Sequence, residues 1–277
     1  MQNKIKLTLS AISIASLLAL AACGGGGGDS APAKPADTPT PPPAPTITVQ
    51  GSATAVAGDP LAVVFVPQTE TSTKSVPQSI ASNVFPAQFQ KASAAGAYTQ
   101  FGIDANSLIT LATGKIVDVA GNGSYAIGRW TAGSSSIGSM SVNQGAHYVV
   151  GKPLTLTPFL PPTPAGVKAN CSLVASTSPT AVSGNFAPGK VNSASAVVDI
   201  AAVSLEALDI DVTIGSDAHA TTHAALTSIT GVMISQGSLR HVQTLGSDPL
   251  KPFLAVGYAM PTPSSGDVTG VVVLQCQ

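Results

Sequence analysis

The stretch Ser216-Asp217-Ala218-His219-Ala220-Thr221-Thr222-His223 holds the densest set of ligand-type side chains in a 277-residue chain with four histidines and three cysteines. Asp217, His219 and His223 are two and four residues apart, so on an extended strand all three project from one face. Imidazole and carboxylate on one face could hold a metal ion or haem iron. At the usual strand rise, however, His219 and His223 stand about 13 Å apart, too far to share one ion unless the strand bends. A solvated, histidine-bearing strand is the plainer alternative, and the small polar neighbours leave little packing to depend on the imidazoles. His147, Tyr148, His241 and Tyr258 could add haem ligands, although such side chains in strands ordinarily serve packing. Arg129 and Trp130 read the same way, as packing and a hydrogen bond.

Beyond that stretch the search for chemistry is negative. There is no Gly-x-Ser-x-Gly, no nucleotide-binding glycine fingerprint and no zinc-protease motif. A catalytic role is therefore not expected, and no cofactor is implied apart from the haem or metal alternative.

The first residues set the context. Lys4 and Lys6 precede a mostly apolar run from Leu7 to Ala22, the layout of a secretory signal, which is too short and too abruptly ended by glycine for a spanning helix. Residues Leu20-Ala21-Ala22-Cys23 resemble the lipobox of bacterial lipoproteins, which implies cleavage before Cys23 and acylation of its thiol. The two or three chains of such an anchor hold a protein to a membrane effectively for good. Gly24 follows, without the acidic residue that resembles an inner-membrane retention signal, so lipid-anchored residence in the outer membrane is expected. Residues 1–22 then form the signal peptide and 23–45 a tether. Five glycines make the tether's start flexible, and six prolines among its last eleven residues stiffen the remainder.

Removing the signal leaves 10 basic against 13 acidic residues, a net charge near −3, which is not the footprint of a nucleic-acid binder. Charged residues make up only 9% of the chain, against about 25% in ordinary globular proteins. A surface solvated by hydroxyls and amides suits a β-rich protein outside the cytoplasm.

Strand signals dominate from Thr46 onward. The runs "LAVVFVP" (Leu61 to Pro67), "SYAIGRW" (Ser124 to Trp130), "HYVVG" (His147 to Gly151), "SAVVDIAAVSL" (Ser195 to Leu205), "KPFLAVGYAM" (Lys251 to Met260) and "DVTGVVVLQC" (Asp267 to Cys276) are β-branched and aromatic. In "EALDIDVTIG" (Glu206 to Gly215), Leu208, Ile210, Val212 and Ile214 share one face and Asp209, Asp211 and Thr213 the other, so one side is buried and one wet. The best helical candidate, Phe89 to Tyr98, is short and contains a glycine. Turn chemistry separates the strands at Gly121 to Gly123, Pro161 to Gly166, Ala187 to Lys190 and Pro261 to Asp267. Eight or more strands with short turns predict an all-β, antiparallel barrel or sandwich.

The segments Ala112 to Gly133, His147 to Pro153, Leu173 to Thr180, Gly184 to Lys190 and Phe253 to Met260, closed by Thr269 to Leu274, come in the order seen in transferrin-binding-protein-like β-barrel surface lipoproteins of Gram-negative bacteria. The resemblance covers roughly Leu61 to Gln277. It implies an up-and-down barrel of about eight strands over residues 46–277, with 46–110 as the region where a small handle sheet would lie. Relatives capture transferrin, complement factor H or haem. By that resemblance the expected partners are the outer membrane and a host or environmental macromolecule, with loops at one end of the barrel doing the binding.

Cys171 and Cys276 remain once Cys23 is lipidated. An even pair in an exported chain predicts a disulfide. Each sits on the apolar phase of its strand, Cys171 with Ala169 and Leu173, Cys276 with Val272 and Leu274. In a single barrel running from residue 46, Cys171 would fall on a middle strand, far from the closing one.

Overall fold

The computed structural model describes residues 46–68, 80–158, 167–235 and 238–277. The signal, Cys23 and the tether lie outside the described residues. The fold is all-β and antiparallel, curled like a barrel, as the strand patterning predicts. Its strands make two sheets. The first holds β1 (Ile47–Gly51), β2 (Leu61–Val66), β3 (Ile80–Phe85), β4 (Lys91–Ala92), β5 (Tyr98–Phe101), β6 (Ile109–Gly121), β7 (Tyr125–Ser135), β8 (Gly138–Met140) and β9 (Ala146–Gly151). Its path runs β3-β2-β9-β7-β6-β5-β4, with β1 added parallel to β6 and β8 on β7. The helical candidate is instead β4 and β5 joined by a turn, preceded by a single 3-10 turn at Ala87–Phe89.

The second sheet holds β10 (Lys168–Ser176), β11 (Thr180–Ala181), β12 (Lys190–Asp199), β13 (Ser204–Ile214), β14 (Asp217–Ser228), β15 (Gly231–Ser235), β16 (Ser238–Leu245), β17 (Phe253–Thr262) and β18 (Gly266–Cys276). Its path is β14-β13-β12-β10-β18-β17-β16-β15, with β11 also on β18. Eight strands thus follow one another up and down, and the last, β18, returns to pair with the first, β10. The ends of the path, β14 and β15, are consecutive in the chain but share no ladder among the described residues, which leaves a seam.

Burial follows the alternation. On β13, Leu205, Leu208, Ile210, Val212 and Ile214 are buried while Asp209 is exposed. They pack with Val198, Ala220, Val242, Leu254, Val256, Val272 and Leu274 into the core of the second sheet. The first sheet closes over aromatic rings, with Phe65, Phe101 and Trp130 at centroid distances of 5.2 to 5.5 Å. The continuous apolar run of β2 is explained by a third core. Leu61, Val63 and Phe65 face the first sheet's interior, while Ala62, Val64 and Val66 face Leu245, Ala255, Val271 and Val273 of the second sheet. A strand buried on both sides has no wet phase, so it cannot alternate.

Two glycines in these strands are seats for tyrosines. Gly128 on β7 is paired with Tyr148 on β9, and a methyl at Gly128 would lie 2.2 Å from the Tyr148 hydroxyl. Gly270 on β18 is paired with Tyr258 on β17, and a methyl there would lie 2.4 Å from the Tyr258 hydroxyl. The ring lies flat over the bare backbone, which explains structurally why glycine interrupts otherwise β-branched runs.

Cys171 and Cys276 stand directly opposite each other on β10 and β18 and are joined by a disulfide. The objection from sequence dissolves because β10 is the first strand of its own sheet, where a closing strand must arrive.

Candidate functional site

β13 and β14 form a hairpin whose inward residues fill the core and whose outward residues meet solvent. The ladder sets Asp209 opposite His223 and Asp211 opposite Thr221. His223 Nδ1 lies 2.7 Å from Asp209 Oδ1, and His219 Nδ1 lies 2.8 Å from Asp211 Oδ2, a diagonal neighbour. A carboxylate can only accept, so Nδ1 carries the proton and a neutral ring keeps its Nε2 lone pair free. The imidazole side chains are 73% and 61% exposed for His219 and His223. Asp211 is braced further by the Asn192 side-chain amide, whose oxygen accepts from the Thr213 hydroxyl. The outer surface of this half of the sheet is otherwise small and polar, with Ser193 and Ser195 exposed on β12.

The expected trio therefore divides. His219 and His223 do share an exposed face, but Asp217 leaves it. Asp217 is buried, and its Oδ2 accepts from the backbone N–H groups of Ser264 and Ser265 at 3.1 and 2.8 Å. Its burial alone would raise the carboxyl pKa, but donors from Ser265, Ser264 and Thr262 outweigh that and hold it below the usual range. Asp217 thus ties the β13–β14 turn to the β17–β18 turn. The Ser265 hydroxyl, which donates to Ile214 O at 3.0 Å, ties the same turns a second time. The carboxylates beside the histidines are instead Asp209 and Asp211, whose wet phase is visible in the sequence but whose pairing depends on the hairpin register. No group of three or more metal-ligating side chains occurs among the described residues.

The remaining haem candidates are interior. His147 is fully buried between the hydroxyls of Thr177 and Thr180, at 2.7 Å from Nδ1 and 2.9 Å from Nε2. Burial, followed by the nearby Arg129 charge, pushes its pKa well below the ordinary histidine value. His241 is also buried, with its pKa lowered by burial against a backbone contact at Ile80. The Tyr148 hydroxyl accepts from Tyr98 N at 3.0 Å, and burial raises the pKa of both Tyr148 and Tyr258. As packing residues these four match the plainer reading of the sequence.

Arg129 and Trp130 are structural too. The Trp130 ring is fully buried and donates to Tyr98 O at 2.7 Å. Arg129 Nε pairs with Asp118 at 2.8 Å, and Asp118 also receives Ser178 N at 2.9 Å, across the junction of the two sheets. Asp118 takes φ 57° to reach both partners. The Arg129–Asp118–Ser178 and His147–Thr177–Thr180 contacts form a polar seam between apolar cores. Among the groups open to solvent on β13 and β14 are thus two carboxylate-oriented imidazoles, a ligand type that suits borderline metal centres through Nε2. Compared with known proteins, the chain matches no family model, no curated protein and no solved structure.

Proposed function

We propose that this chain is a lipid-anchored lipoprotein of the outer membrane that captures a host or environmental macromolecule at the cell surface. The leader and Cys23 support the anchor, and residues 23–45 support display at a distance from the membrane. The observation that carries the capture reading is the cross-braced end of the second sheet. Asp217 and Ser265 fix the β13–β14 and β17–β18 turns against each other, so that end can present its loops without ordering them on contact. To test the anchor, Cys23→Ala cells are fractionated, and the variant is expected to lose both its lipid mass and its membrane partition. To test capture, ligand bound by cells displaying the wild type is compared with that bound by cells displaying Asp217→Ala. Loss of binding with an unchanged circular-dichroism spectrum is the expected result, and unchanged binding would reject the loops of that end as the contact.

One observation favours a second reading, a haem or metal carrier. His219 and His223 each present Nε2 outward with Nδ1 held by an aspartate, the arrangement that commonly supports a metal-bound histidine. Titrating the purified protein with haem decides it. A Soret shift that disappears in His219→Ala/His223→Ala supports the carrier, and an unshifted spectrum removes haem.

A further inference from the structure

The chain has four histidines, and two of them, His147 and His241, are buried. Cys171 and Cys276 are consumed by their disulfide. Among the described residues the exposed imidazoles are therefore His219 and His223, both on the outer face of β14. Each has its Nδ1 on an aspartate of β13, so each turns Nε2 outward, and the aspartate raises the basicity of that nitrogen. The neighbours are short. One row across the strands runs Ser195, Asp209, His223 and the next runs Ser193, Asp211, Thr221, with both serines and the threonine exposed.

Spacing decides what this face can do with a metal ion. Two imidazoles about 13 Å apart on one strand cannot meet on a single ion. The β13–β14 ladder is regular from Ala220 to His223, so no bulge there brings them together. Neither belongs to a group of three ligating side chains among the described residues. Within one chain each ion would thus have one imidazole and open positions, and further ligands have to come from another molecule. A second copy of the chain supplies them at the right separation by construction. A two-fold axis laid along β14 sets each histidine against its own counterpart, and one laid across β14 at Thr221 sets His219 against His223, so in both cases the two imidazoles find partners together. Any other partner would have to match the spacing independently. Charge points the same way. Each face brings Asp209 and Asp211, so two bare faces set four carboxylates against one another, and two dications between them offset those charges.

We propose that the outer face of β13 and β14 is a zinc-dependent self-association surface, in which two zinc ions each join Nε2 of a histidine in one chain to Nε2 of a histidine in a second copy. Zinc suits the arrangement because it takes imidazole nitrogen and imposes no geometry of its own, with water filling its remaining positions. This assembly rests on the metal-carrier reading above, since a chain that holds no zinc cannot be joined by it.

Sedimentation velocity of the full-length protein in zinc chloride and in EDTA, beside isothermal titration with zinc, tests this. The expected result is one zinc ion per chain at saturation, a dimer in zinc and a monomer in EDTA. His219→Ala and His223→Ala are each expected to weaken the dimer roughly tenfold or more, since even the outer-shell partners of a metal-bound imidazole are worth that much. The double variant, with an unchanged circular-dichroism spectrum, is expected to stay monomeric in zinc. Absence of zinc binding to the wild type removes the metal-carrier reading and the dimer with it. Zinc binding without association leaves the carrier standing and overturns the dimer alone. A dimer that forms equally in EDTA, or that survives in the double variant, overturns it as well.

Discussion

Removing the imidazole at position 147 is expected to flatten the acid dependence of stability. His147 is fully buried with both ring nitrogens on threonine hydroxyls and a guanidinium nearby, so its folded pKa lies well below that of the unfolded chain. Below the unfolded value the unfolded chain binds the extra proton, and stability present at neutral pH drains away as pH falls toward the folded pKa. With an unfolded pKa of about 6.5, the loss is about 0.1 kcal/mol at pH 7.5, about 0.4 at pH 6.5 and about 1.4 at pH 5.5. His147→Gln keeps a side chain that can meet Thr177 or Thr180 but cannot titrate. Urea unfolding of wild type and variant across this range should show their stabilities converging by about 1.3 kcal/mol from pH 7.5 to 5.5. His241 shifts in the same direction but is present in both proteins, so it cancels in the difference. A constant gap between the two proteins would refute the reasoning, because it would mean that His147 takes up its proton in the folded state as readily as in the unfolded one.

Three further outcomes are expected. Cys171→Ala/Cys276→Ala removes a link across 105 residues and should lower stability by about 4 to 5 kcal/mol in the chain-entropy account, read from urea midpoints without reductant. Gly270→Ala drives a methyl against the Tyr258 ring and should cost about 1 to 3 kcal/mol by thermal unfolding, as overpacking does. His219→Ala/His223→Ala removes exposed side chains and should leave the melting curve within about 0.5 kcal/mol of wild type, whereas a larger loss would show that the two aspartate pairs carry structural weight.

Strand content was legible because one-sided burial writes a period of two into the chain, as at β13. The wet phase of Asp209 and Asp211 could be read for the same reason. Their pairing with the histidines could not, since it depends on a register set by the turn at Gly215 and Ser216 and by a shift in the ladder between Val212 and Ile214. Asp217 shows the limit of counting along one strand. Its place in the alternation puts it with His219, but backbone donors from a distant turn draw its carboxylate away. The division into two sheets was also hidden. Both sheets are antiparallel apart from β1, and the contact between them buries apolar side chains of β2 and β18 that read like ordinary core. The prolines from Pro161, which read in sequence like any other turn, lie between β9 and β10 in the chain and outside the described residues.

The pairing of β10 with β18 also dictates a sequence of events during folding. β10 has one edge close in sequence to its partner β12, while its other edge waits for a partner 105 residues downstream. Until β18 arrives, the hydrogen-bonding edge of β10 and the thiol of Cys171 stay unmatched, as does the inner wall that β18 later covers. Closure is thus a late, long-range event, and topologies of that kind fold slowly. The open intermediate is an edge that another chain could occupy, and only the arrival of the final strand retires it.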